Sequence, residues 1–211
     1  QAIACAQELG WLREGVAQGP LPMPGYHLPA QPTPFIGRSR EIAEVKHLLG
    51  QSRLLTLTGT GGTGKTRLAL QVAEVVAPTF ADGVCFVDLA PLADQTLVRK
   101  AIAAALGVIE HGTESLETLT RVLARREMLL LIDNFEQVQS AARDIAALLA
   151  GCPGLKVIVT SRQPLRVSGE RGVPVPPLGL PPKGEALPGL AALAQYEAVR
   201  LFIERAQGAQ W

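Results

Sequence analysis

The stretch Leu54-Leu-Thr-Leu-Thr-Gly-Thr-Gly-Gly-Thr-Gly-Lys-Thr-Arg-Leu-Ala-Leu-Gln-Val-Ala-Glu-Val-Val76 decides the fold. Its first five residues are apolar and β-branched, which predicts a buried strand over Leu54 to Thr58. Its last twelve repeat apolar side chains at helical spacing, which predicts a helix over Lys65 to Val76. Between them Gly59, Thr60, Gly61, Gly62, Thr63, Gly64, Lys65 and Thr66 fit the pattern G-x-x-x-x-G-K-[ST]. Glycines let the backbone fold so that several N–H groups point at one anion, and the helix behind adds its positive end. Lys65 brings a charge to terminal phosphates, and the Thr66 hydroxyl suits Mg²⁺. The bland alternative is a glycine turn between strand and helix that holds no ligand.

Outward from this loop the chain alternates short apolar runs with longer amphipathic ones. Strands are expected at Val84 to Leu89, Met128 to Ile132, Lys156 to Thr160 and Val173 to Val175. Helices are expected at Glu41 to Leu49, Thr96 to Leu106, Ser115 to Arg126 and Ala141 to Ala150. Such alternation predicts an α/β fold with a parallel sheet covered on both faces, and the run Leu129-Leu-Leu-Ile132 suits a strand buried on both sides. A ligand then belongs at the carboxyl ends of the strands.

Two further clusters fall at such ends. Asp133 follows the strand Met128 to Ile132, one strand away from the loop, where a carboxylate can hold an Mg²⁺ water or simply cap the strand. Glu136 either orients an attacking water or favours the start of the next helix. Asn134 has no proton affinity useful for base catalysis, so any hydrolysis is expected to be slow. Arg162, after Thr160 and Ser161, reads either as a cation on a γ-phosphate or as a surface arginine paired with an acid such as Glu170. Upstream, the strand-like pair Phe35-Ile36, then Gly37 and Arg38, can pack on a base and bind its edge. The alternative there is a helix entry with Glu41 in its first turn.

The flanks differ in character. Ala2 to Val16 has helical spacing broken by Gly10, and Gly19 to Pro34 carries six prolines and reads as a linker. After a second Pro/Gly-rich segment, Leu178 to Leu190, a helix places Tyr196, Val199, Phe202, Ile203 and Ala206 on one face that calls for a partner. The divisions are therefore 1–33, 34–180 and 181–211. The start at Gln1 points to a piece of something longer. An apolar share of 47% and a charged share of 18% describe a chain able to fold in water. Twenty basic and nineteen acidic residues, without a single-sign run, give no nucleic-acid or membrane-binding face. No apolar run is long enough to span a bilayer, and a cytoplasmic location is expected. Cys5, Cys85 and Cys152 are too far apart in sequence for a zinc or redox motif and read as reduced thiols.

Together, Phe35-Ile36-Gly37-Arg38 with Glu41, the loop Gly59 to Thr66, the run Leu129 to Glu136 and Thr160-Ser161-Arg162 resemble the STAND class of signal-transduction NTPases. The phrases FADGVCFVDLAPL (Phe80 to Leu92), LLLIDNFEQV (Leu129 to Val138) and TSRQPLRVSGE (Thr160 to Glu170) are similar to the NB-ARC-like module of bacterial transcriptional regulators. The resemblance covers about Pro34 to Leu180. It implies a three-layer P-loop NTPase sandwich with a five-stranded parallel sheet of order 5-1-4-3-2, and adenine held near Phe35 to Arg38. It also implies ATP and ADP as ligands with Mg²⁺ on Thr66 and Asp133, the phosphate site reaching Arg67, and Lys65, Asp133, Glu136 and Arg162 in catalytic or sensing roles. The expected function is a nucleotide-gated switch with slow hydrolysis, joined to further domains and able to form an ATP-dependent homo-oligomer. An AAA+-like motor is the alternative, and it calls for Glu directly after Asp133 where this chain has Asn134. Thr63 stands where the family has Val or Ile. The chain ends before the Gly-Leu-Pro segment and winged-helix domain that close over adenine in that family.

Overall fold

The computed structural model describes residues 28–92, 94–108, 115–181 and 189–208. The helix expected over Ala2 to Val16 lies outside them, as do parts of both Pro-rich segments.

In chain order the elements are α1 (Ser39–Gln51), β1 (Leu54–Thr58), α2 (Lys65–Val76), β2 (Val84–Asp88), α3 (Val98–Ala105), α4 (Leu116–Leu123) and β3 (Met128–Asp133). They continue with α5 (Ala142–Gly151), β4 (Leu155–Ser161), β5 (Glu170–Pro174), α6 (Leu190–Leu193) and α7 (Glu197–Gly208). The five strands form one sheet of order β2-β3-β4-β1-β5, and every pairing is parallel. This is the order that the family resemblance implies, read from the other edge. Strand β4 lies between β1 and β3, so the loop after β1 and the end of β3 face each other across one strand.

The central strand shows why the run of leucines has no polar alternation. In β3, Met128, Leu130 and Ile132 point into one apolar core with α3, α4 and α5. Leu129 and Leu131 point into the other, with α1 and α2. All five are fully buried, because a parallel sheet with helices on both faces leaves neither side to water. Burying each such side chain contributes roughly 1.5–3 kcal/mol.

Several helix starts follow from local chemistry. The Ser115 hydroxyl accepts the Thr118 N–H at 3.1 Å, and Asp94 accepts the Thr96 N–H at 2.8 Å ahead of a 3₁₀ turn that leads into α3. That bond with Thr96 holds the Asp94 carboxyl below its ordinary range. A bidentate pair of Arg99 with Asp144, both bonds 2.8 Å, joins α3 to α5. Among the described residues, no helix is long and apolar enough to cross a membrane.

Phe35 and Ile36 lie in irregular backbone just ahead of α1. In α7, Phe202 is 73% exposed and Ile203 40% exposed, so the apolar face faces solvent. The helix instead turns Ala198, Leu201 and Arg205 toward the sheet domain, held there by polar contacts at its first turn.

Candidate nucleotide site

A cleft of about 880 Å³ opens at the carboxyl end of the sheet. Its floor is the loop Thr60 to Arg67; Pro34, Phe35, Ile36 and Arg38 form one wall, and Asn134, Glu136 and Arg162 another. The third wall is Pro177, Leu178 and Leu180 with Ala198, Leu201 and Arg205 of α7.

The loop is shaped by its own chemistry. Gly64 precedes α2 at φ 84°, a left-handed conformation that costs a residue with a Cβ about 1–2 kcal/mol. It brings Lys65 to the first turn of α2, where its Nζ donates to the carbonyls of Gly59 and Thr60 at 2.9 Å each. The ammonium is thus held over the loop, with little of it exposed. At the other end of the floor, Arg67 donates to the Thr33 hydroxyl and to the carbonyls of Thr33 and Pro34 at 2.6, 2.7 and 3.0 Å. Burial, and then the nearby Arg205, lower the Arg67 pKa.

Arg38 ties three parts of the cleft together. Its guanidinium is 4% exposed and donates from Nη2 to Thr63 O at 2.6 Å and Pro176 O at 2.8 Å. Nη1 is buried without a hydrogen-bond partner among the described residues, its nearest acid being Glu41 at 3.7 Å. The residue caps α1 at φ 60°, and Glu41 sits in the first turn, so the helix-entry reading of this segment holds for its backbone.

Asp133 is the centre of the acidic wall. It accepts the Thr66 hydroxyl at 2.8 and 3.0 Å, the Thr160 hydroxyl, and the Asn134 side-chain N–H at 2.9 Å. Burial raises its pKa; the hydroxyls of Thr160 and Thr66 oppose that, and the charges of Asp88 and Glu136 add to it. Asn134, at φ 60°, also donates to Asp88 at 3.2 Å and so bridges two carboxylates. The asparagine thus serves as a donor to acids, a role that its position in sequence does not reveal. Thr160 likewise emerges as a direct partner of Asp133 and not only as a neighbour of Arg162.

Arg162 pairs with Glu136 at 3.2 Å. The expected alternative partner, Glu170, is otherwise engaged: it accepts the backbone N–H groups of Leu165 and Arg166 at 2.8 and 2.7 Å. The Arg162 guanidinium stands beside the loop, where a Cβ on Gly61 would lie 3.7 Å from its Nη2. Glu136 keeps one carboxylate oxygen buried and without a hydrogen-bond partner among the described residues.

The donor set matches what an Mg-nucleotide requires. Thr66 and Asp133 place a hydroxyl and a carboxylate side by side, hard oxygens of the kind Mg²⁺ takes when phosphates and water complete its shell. Lys65, Arg38, Arg67, Arg162 and Arg205 face one cleft with Glu136 as the acid among its lining residues, an excess of positive charge that suits a polyphosphate. The residues fit. Leu201, Arg205 and the Pro177 to Leu180 segment were not visible as site residues in the sequence, since spacing along a helix does not tell which face meets a loop far earlier in the chain.

An HTH-type transcriptional regulator, as its name describes it, from Mycobacterium tuberculosis is 39% identical over 168 residues, covering 79% of this chain and 17% of the relative. The regulatory protein AfsR of Streptomyces coelicolor is 32% identical over 154 residues, covering 64% of this chain and 15% of AfsR. The chain thus spans less than a fifth of either relative. A solved STAND protein with a tetratricopeptide repeat sensor from Pyrococcus horikoshii aligns at 18% identity and TM-score 0.47, over 74% of this chain and 25% of that one. The family model described as AAA domain matches residues 48–166, more than half of the 211 residues, and takes in the phosphate loop, Asp133 and Arg162. This chain belongs to the AAA domain family.

Proposed function

We propose that the chain is the nucleotide-binding switch domain of a longer cytoplasmic regulator, taking ATP and ADP with Mg²⁺ and hydrolysing ATP slowly. The observation that carries this reading is the convergence of Lys65, Thr66 and Asp133 on one loop, with Arg162 poised beside it. Bound nucleotide and Mg²⁺ supply the cleavable phosphoanhydride and a divalent charge to polarise it. Lys65 and the loop N–H groups orient the phosphates, Thr66 and Asp133 hold the metal side, and Arg67 and Arg38 shape the two ends of the loop. Phe35 and Ile36 offer an apolar surface for the base. Glu136 is held by Arg162 through Oε1, and its Oε2, without a partner among the described residues, is the oxygen it would offer to a water.

The regulators among the relatives support a regulatory role and further domains for the whole protein, and an ATP-dependent homo-oligomer belongs to the same switch reading. No direct nucleic-acid contact is assigned to this segment.

Isothermal calorimetry on wild type and Lys65→Ala tests the reading. Removing a charge from the phosphates should weaken both nucleotides about thirtyfold or more, the equivalent of about 2 kcal/mol. Equal affinity of mutant and wild type for both nucleotides refutes the assignment. Phosphate release should fall well below the roughly 1–10³ per second usual for enzymes; tens of turnovers per second would favour the motor alternative.

A further inference from the structure

Helix α7 meets the rest of the chain through a contact 159 positions apart in sequence: the Arg38 backbone N–H donates to Glu197 Oε1 at 2.8 Å. The carboxylate lies against Gly37, at φ 72°, so closely that a Cβ there would overlap it. A glycine therefore leaves the space that Glu197 uses. The carboxylate is well placed electrostatically, because it sits at the amino end of α1 and in the first turn of its own helix.

Little else holds α7 in place. Among the described residues, the other backbone bond from its first turn into the preceding loop runs from Ala198 N–H to Gly179 O at 3.3 Å, and Phe202 and Ile203 face solvent. Yet the helix forms a wall of the cleft through Ala198, Leu201 and Arg205. The residue that anchors it, Arg38, is also the one whose guanidinium grips the phosphate loop at Thr63 O and the exit of β5 at Pro176 O.

We propose that Glu197 is a positioning residue for the nucleotide site: by accepting the Arg38 N–H it latches α7 across the cleft, and bound nucleotide leaves when this latch opens. The inference rests on the nucleotide reading above. Arg205 strengthens the logic. It faces Arg67 across the cleft with no salt-bridge partner among the described residues, so an anionic ligand between the two cations favours the closed helix, and its loss leaves repulsion.

The test uses the 211-residue chain and a fluorescent ADP analogue, with release followed by stopped flow for wild type, Glu197→Ala and Glu197→Gln. Losing a charge-assisted hydrogen bond should speed release on the order of tenfold, with association changed less than about twofold. Glutamine keeps an acceptor oxygen and should recover most of the slow release. Unchanged release in Glu197→Ala, or equal acceleration in both variants, overturns the latch. Hydrogen exchange of the ligand-free variants separates this from the reading beneath it. A wild-type chain that binds no nucleotide defeats the nucleotide reading. The latch itself is then decided by exchange: protection at the Arg38 amide and along α7 lost in Glu197→Ala supports it, and protection unchanged overturns it.

Discussion

Asp133 is held in a position that works against its own charge. Burial and the neighbouring Asp88 and Glu136 push its proton affinity up, and two threonine hydroxyls and the Asn134 amide offset part of that cost. A cation supplied from outside would relieve the same tension, which supports the proposed Mg²⁺ position at this carboxylate beside Thr66. Arg162 poses the opposite case: 65% exposed, it has a partner in Glu136, and an exposed pair of this kind is worth at most about 1 kcal/mol. A γ-phosphate beside Gly61 can therefore compete for the guanidinium. If it does, Arg162→Ala should weaken a non-hydrolysable ATP analogue about ten- to a hundredfold, a charge-assisted bond of roughly 1.5–3 kcal/mol, and leave ADP nearly unchanged. Dissociation constants for both ligands, measured on both proteins, check this. Equal losses for the two would return Arg162 to a surface ion pair.

At the scale of elements, the turn from α5 into β4 is held against the turn that opens β3. A Cβ on Gly154 would lie 2.5 Å from the Arg126 carbonyl oxygen, a backbone atom that cannot swing aside, whereas one on Gly172 in edge strand β5 meets nothing within 4 Å. Gly154→Ala should cost about 2 kcal/mol through forced backbone shifts, and Gly172→Ala should be neutral or gain up to about 1 kcal/mol by restricting the unfolded chain. Thermal melts should separate the pair by several degrees, and a Gly154→Ala melt equal to wild type would show that the turn has room. The same elements show what was legible. The sheet could be read because Leu129 to Ile132 is an unbroken apolar run and Leu54 to Thr58 combines leucines with β-branched threonines, and the loop because its glycines and Lys65 stand at fixed offsets. The facing of α7 could not be read. Its apolar stripe calls for a partner but does not say how the helix docks; the Glu197 carboxylate accepting the Arg38 N–H does that, and neither residue carries a signal in the sequence.

On the scale of the whole molecule, two thiols report on global opening. Cys85 in β2 and Cys152 after α5 are free, fully buried and part of one apolar core. Burial pushes the Cys85 thiol up to about 11 from 9.0 and raises Cys152 as well, with Arg53 opposing for the latter. The thiolate is the reactive species, so in the native chain both groups should resist a thiol reagent at pH 8 and react only after opening. The sign of the pH dependence follows. An unfolded chain loses the Cys85 proton near 9 and the folded one near 11, so this contribution to stability is intact below about 9 and is lost as pH rises between the two values. A Cys5→Ser background removes the third thiol. In that background, Mg-ADP at about 100 times its dissociation constant should slow labelling of Cys85 about a hundredfold, because a ligand that binds only the folded state stabilises it by about 2.7 kcal/mol. Labelling at the rate of a free thiol would mean that the core is open, and slow labelling that ignores the ligand would mean that Cys85 is reached by local fluctuations of β2. The edge position of β2 in the sheet makes that second outcome a real competitor, and following Cys152 alongside it decides the matter, since cooperative opening slows both thiols by the same factor.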